Sequence, residues 1–184
     1  LRNVGKYFLF VGRVAPLKAL DNLLLALAKS QNFMKSDYKL LIAGGVEKQF
    51  EWYYNQLVQI ISENSGLKEK VVFLGNVEGE QKFQLYADAY YSILVSHSEN
   101  FGNVVIETLS QGTPVIASHG TPWQELVDNK AGLWIYNNEN EIAKSIDEVL
   151  AMGEEEYLQV RDHAYKLALE LDVFKNIDKW IKVL

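Results

Sequence analysis

A chain of 184 residues, 48% hydrophobic and 23% charged, can bury a sizeable core and has none of the bias of a disordered tail. Its net charge of −6 excludes a general nucleic-acid binder, which needs a basic face, and the absence of cysteine excludes a disulfide framework or a thiolate-held metal. No apolar run reaches the ~18 residues of a membrane-spanning helix.

Tyr7 to Val11 is a short apolar run stopped by Gly12, as expected of a buried parallel strand. Leu20, Leu23, Leu24 and Leu27 then recur at helical spacing. Lys39 to Ala43 predicts the second strand, ended by Gly44-Gly45. Phe50, Tyr53, Leu57, Ile60 and Ile61 predict the next helix, with Gly66 as a cap beyond it. Val71 to Leu74 predicts a third strand ended by Gly75-Asn76, and a helix from about Glu80 to Ala89 leads into a fourth, Tyr91 to Val95. A helix over Asn103 to Gln111 and strands at Val115 to Ser118 and Gly132 to Ile135 follow. Three helices complete the pattern: one through Ile142, Ile146, Val149 and Leu150, one over Glu154 to Leu171, and one capped by Asp172.

Alternating strands and helices with short glycine-containing joints indicate an α/β fold, a doubly wound, Rossmann-like parallel sheet of about six strands flanked by helices. Ligands of such sheets sit beyond the carboxyl ends of the strands. The polar joints at those ends, Gly12-Arg13, Gly44-Gly45, Gly75-Asn76, Ser96 to Gly102 and Ser118 to Thr121, are expected to converge on one cleft. The first thirty residues carry Arg2, Lys6, Arg13, Lys18 and Lys29 against Asp21 alone, a local excess that suits a small anion. The chain begins Leu1-Arg2-Asn3 without Met and is read as part of a longer protein, which leaves its targeting open.

The most informative stretch runs from Ser96 to Ala117. Glu99 and Glu107, with seven residues between them, bracket a turn, Asn100-Phe101-Gly102, that opens a helix. Unpaired N–H groups at a helix start suit a phosphate, and a carboxylate on each side can accept from hydroxyls. Phosphate between hydroxyls describes a nucleotide sugar. Arg13 offers a fork of donors and Lys18 a point charge, a pair suited to a diphosphate. Taken singly, Arg13 and Lys18 also fit solvated loop cations, and Glu107 a surface-helix glutamate. His97 borders this stretch, while His119 lies in a glycine-containing loop and His163 on a late helix. No metal-ligand spacing appears in the sequence, nor Gly-x-Gly-x-x-Gly after the first strand, nor a Gly-x-x-x-x-Gly-Lys-Ser/Thr loop.

Five segments occur in order: Phe10-Val11-Gly12-Arg13-Val14-Ala15-Pro16-Leu17-Lys18, Leu41 to Gly45, Phe73 to Val77, Ser96 to Gly102 with Glu107, and Gly112 to Ala117. Together they resemble the C-terminal donor-binding half of group 1 (family 4) retaining glycosyltransferases of GT-B architecture, over about Tyr7 to Leu150. Gly120 to Leu126 also resembles members that build bacterial surface polysaccharides.

The resemblance implies transfer of a sugar from a nucleoside-diphosphate sugar to a glycan or lipid-linked acceptor, with retention of configuration. It implies no cofactor and no essential metal. Arg13, Lys18 and Glu99 would form the catalytic group, the cations on the diphosphate and Glu99 on the sugar hydroxyls. Phe101, Gly102 and Asn103 would offer backbone N–H groups, and Glu107 would bind the ribose. Gly12 and Gly44 would let backbone approach the donor, and Asn76 and Val77 would flank the base. Ala19 departs from the family's glycine, and alanine there is expected to favour the helix. Residues 1–184 are thus expected to form a single donor-binding domain, with the acceptor domain preceding Leu1 and residues 172–184 packing on it. The fragment alone is expected to be inactive, and the full protein cytoplasmic, peripheral to the inner membrane. A non-catalytic nucleotide-sugar module and a GT-B sugar-nucleotide epimerase are the alternative readings, with a Rossmann oxidoreductase third.

Overall fold

The computed structural model describes residues 5–171. Strand β1 (Tyr7–Val11) passes through a 3₁₀ turn (Pro16–Lys18) to helix α1 (Leu20–Lys29) and the short α2 (Gln31–Lys35). Strand β2 (Lys39–Ala43) leads to α3 (Glu51–Glu63), β3 (Val71–Gly75) to α4 (Gly79–Asp88), and β4 (Tyr91–Leu94) to α5 (Asn103–Ser110). Strand β5 (Val115–Ser118), a single turn α6 (Glu125–Asp128), strand β6 (Gly132–Ile135), α7 (Glu139–Ala151) and α8 (Glu154–Glu170) complete the described chain. The helix expected from Asp172 lies outside the described residues.

All six strands pair in parallel in the order β3-β2-β1-β4-β5-β6. This is the doubly wound arrangement, and its direction reverses between β1 and β4. Every residue of β4 and β5 is buried, and their two serines, Ser92 and Ser118, donate to the carbonyls of Leu9 and Ser96. Side chains alternate between two helical layers. Phe8 and Phe10 of β1 pack with α1, α3 and α7 residues such as Leu24, Leu57 and Ile146. On the other side, Leu9 meets Tyr86 and Ala89, and Leu94 meets Val105, Leu109 and Leu167. No helix among the described residues is long and apolar enough to cross a membrane.

Three local expectations change. The predicted segments omit α2 and α6. Helix α2 is one turn, capped by the buried Ser30, whose Oγ accepts from Phe33 N at 3.1 Å. Ser30 Oγ in turn donates to Asp147 of α7 at 2.5 Å, a tertiary support with no local signal. Gly66 does not cap α3. It sits in a 3₁₀ turn (Ser65–Leu67) where a Cβ would collide with Met34 Cε, and Asn64 closes the helix through Nδ2 to Ile60 O at 2.8 Å. Ala19 lies outside the helix: with φ 51° and ψ 40° it is the left-handed cap before α1. That conformation costs a non-glycine residue about 1–2 kcal/mol, so alanine is tolerated there rather than favoured.

Candidate functional site

Beyond the carboxyl ends of β1 and β4, at the reversal point, lies a cavity of about 530 Å³. One wall is the loop after β1, with Gly12, Arg13, Leu17 and Lys18, and the other is Ser98 to Val104. Backbone bonds fix the first wall. Gly12 N donates to Ala43 O and Val14 N to Gly45 O, each at 3.0 Å, and Pro16 presets the φ of the turn that carries Lys18 inward. The second wall is pinned by Glu99 N to Gly120 O at 2.8 Å and by Trp123 Nε1 to Phe101 O at 2.5 Å.

Across the cavity Lys18 Nζ and Glu99 Oε1 form an ion pair, with side chains only 17% and 14% exposed. Ser96 Oγ donates to the same Glu99 oxygen at 2.9 Å. Arg13 is far more open, at 64%, and bonds Glu47 Oε1 at 2.9 Å. Hydrogen bonds from Arg13 and then Gln49 hold the Glu47 carboxyl below its usual value. Gly102, at φ 77°, is the left-handed cap of α5. A Cβ there would crowd Leu94 Cδ2 at 3.1 Å and Trp123 Nε1 at 3.2 Å, so glycine is needed on two counts. The N–H groups of Asn103 and Val104 belong to the first turn of α5 and have no intrahelical acceptor. They open on a cavity that also holds Lys18 and Arg13, an arrangement matched to an anion.

Of the eleven predicted site residues, Gly12, Arg13, Lys18, Glu99, Phe101, Gly102 and Asn103 line this cavity, and Gly44, Asn76, Val77 and Glu107 do not. A Cβ on Gly44 would collide with the Gly12 carbonyl, so Gly44 permits close passage of two loops of the protein itself. Exposed Asn76 packs its side chain against Gly45, while Val77 borders the Leu9, Ala43 and Tyr86 cluster. Glu107 stands one turn behind Asn103 and Val104, where Lys82 Nζ meets Oε1 and Tyr86 OH donates to Oε2, each at 2.9 Å.

Burial first, and the nearby Glu107 second, push the Tyr86 phenol well above its usual range. His97 is exposed, with Nδ1 3.3 Å from Asn137 Nδ2, and lies outside the cavity lining. Among the described residues no three His, Asp or Glu side chains are grouped to hold a metal. Glu47, Lys82, Tyr86 and Trp123 were given no role in the sequence reading, nor was Ser96, although it opens the Ser96 to Gly102 segment. Of the other four only Trp123 had a local signal, within the Gly120 to Leu126 segment.

The family model described as "Glycosyl transferases group 1" matches residues 2–167. An uncharacterized glycosyltransferase of Methanocaldococcus jannaschii is 33% identical over 177 residues, covering 95% of this chain and 43% of that protein. A D-inositol 3-phosphate glycosyltransferase of Mycobacterium sp. (strain KMS) is 38% identical over 109 residues, 59% of this chain and 24% of that protein. In fold, the chain is similar to Anabaena HepE, solved in complex with UDP and glucose, with a TM-score of 0.82 at 23% identity over 99% of this chain and 49% of that one. The chain thus spans less than half the length of each of these proteins. With a family match over nearly all of its length, this chain belongs to the group 1 glycosyltransferases.

Proposed function

We propose that the chain is the donor-binding part of a retaining glycosyltransferase. It would hold a nucleoside-diphosphate sugar and act in building bacterial surface polysaccharide at the cytoplasmic side of the membrane. The observation that carries this reading is the Lys18–Glu99 pair, which joins the phosphate-seeking and hydroxyl-seeking groups across one cavity at the sheet's reversal point. HepE's complex with UDP and glucose supports a donor of this class.

In this reading the diphosphate takes Lys18 from Glu99 and lies against Arg13 and the first turn of α5. Glu99, still held by Ser96, then offers the lone pair that Lys18 leaves to the hydroxyls of the sugar. As the anomeric bond breaks, negative charge grows on the departing phosphate, where Lys18, Arg13 and the α5 N–H groups are aimed before the reaction begins. The coverage of its relatives supports an acceptor site supplied by residues outside this chain, so the 184 residues alone are expected to bind donor and transfer nothing.

A calorimetric screen of UDP-, GDP- and ADP-sugars against the chain is the direct test. Saturable binding of one of them is expected, and it should weaken in Lys18→Ala. Absence of binding across the whole panel would sink the proposal.

A further inference from the structure

Helix α4 leaves the loop that carries Asn76 and Val77 and runs beside α5. Lys82 and Tyr86 are four residues apart on it, hence on one face, and both reach Glu107. The two contacts are divided evenly: the ammonium takes Oε1 and the phenol takes Oε2. Tyr86 is fully buried, which encloses its ring, and Thr113 Oγ1 donates to its backbone carbonyl at 2.7 Å, tying down the end of α4. The raised phenol remains a hydrogen-bond donor at neutral pH. Lys82 and Glu107 keep 25% and 29% of their side-chain surface, which leaves the carboxylate reachable from outside.

From these contacts we propose that Lys82 and Tyr86 are positioning residues that orient Glu107 for two adjacent hydroxyls of one ligand. The inference rests on the donor-binding reading above and extends it to two residues that no motif picks out. An ionised carboxylate offers about four lone-pair directions. One on each oxygen is filled from α4, and one on each oxygen is left. Two acceptors at a carboxylate's own oxygen spacing suit a vicinal diol such as the 2′,3′-diol of a ribonucleotide, each hydroxyl donating one bond. Without the two donors the Glu107 side chain regains rotamer freedom and must be ordered by the ligand itself. Lys82 and Tyr86 touch Glu107, not the diol, so their effect is on ribose discrimination rather than on phosphate affinity.

The test is calorimetry of the 184-residue chain with UDP, GDP and ADP, followed by the 2′-deoxy counterpart of whichever binds most tightly. The unaltered chain should prefer the ribonucleotide by about tenfold or more, the worth of a hydrogen bond to a charged group. Lys82→Met and Tyr86→Phe should each lose most of that preference, weakening the ribonucleotide more than its 2′-deoxy counterpart, which keeps only the 3′-hydroxyl, and Lys82→Arg should restore it. Thermal melts run alongside separate this from misfolding, and Tyr86→Phe keeps the buried ring in place. An unchanged preference in folded Lys82→Met and Tyr86→Phe proteins overturns the inference and leaves the two residues as a strut between α4 and α5. Failure of the unaltered chain to bind any of the three nucleotides overturns the donor reading and the inference together.

Discussion

The two glutamates of the Ser96 to Ala117 stretch are held in opposite ways. Glu99 stands on a loop, and its chief partner, Lys18, comes from the far wall of the cavity. Glu107 stands on a helix, and its partners, Lys82 and Tyr86, come from behind, on a neighbouring helix. A ligand that needs Lys18 has to open the first pair, whereas a ligand that meets Glu107 can leave the second arrangement intact. On the proposed donor-binding reading, the motif thus combines a carboxylate that must be released with one that is already set, and rearrangement on binding would be confined to the Glu99 side.

The largest effect is expected from Lys18→Ala in a full-length enzyme. Losing a charge aimed at the leaving group should lower kcat by about 10²–10³-fold in a steady-state transfer assay. A drop under tenfold would remove Lys18 from the leaving group and with it the reason for its pair with Glu99 to open.

Next come Glu99→Ala and Glu107→Ala, compared by calorimetry on the chain. Glu99→Ala should weaken a nucleotide sugar by ~1.5–3 kcal/mol, roughly 10- to 150-fold, as for hydrogen bonds to charged groups. The bare nucleoside diphosphate should bind Glu99→Ala as well as before or better, because Lys18 is freed. Glu107→Ala should weaken both ligands by a similar factor. Equal losses on both ligands in both variants would erase the distinction between the two carboxylates.

The smallest effect concerns Glu47. Its carboxyl is held below the usual value, so the pair with Arg13 is intact above the unfolded-state pKa and is lost as pH falls through the lower folded-state one. Glu47→Gln should therefore tighten nucleoside diphosphate binding slightly at neutral pH, and the gap between the two proteins should close in acid. A gap that persists at low pH would mean that Glu47 acts other than by competing for Arg13.

The strands were legible because each is a short apolar run with a polar or glycine stop, and a parallel sheet buried on both faces demands that composition. The 3₁₀ turn of Pro16 to Lys18 was not legible, so nothing in the sequence showed that Lys18 is aimed from a turn ahead of α1. Seven of the site residues proved to line one cavity because chain order in a doubly wound sheet dictates which loops meet. Their partners stayed hidden. Lys18 and Glu99 are 81 positions apart and Tyr86 and Glu107 are 21 apart, and nothing local in either segment announces the other. Gly44 looked like a residue that opens space for a ligand, yet the space it opens is taken by the Gly12 carbonyl.

Both cations that line the cavity, Arg13 and Lys18, already face a carboxylate. On the donor-binding reading, capture of a diphosphate would then be an exchange of one anion for another, and these paired charges would leave little net field to draw a donor from a distance. Encounter should proceed near the ~10⁵–10⁶ M⁻¹s⁻¹ of unsteered association and respond weakly to ionic strength. Selectivity among anions would come from how well each replaces the departing carboxylates, which favours a ligand bringing charge and hydroxyls together over phosphate alone.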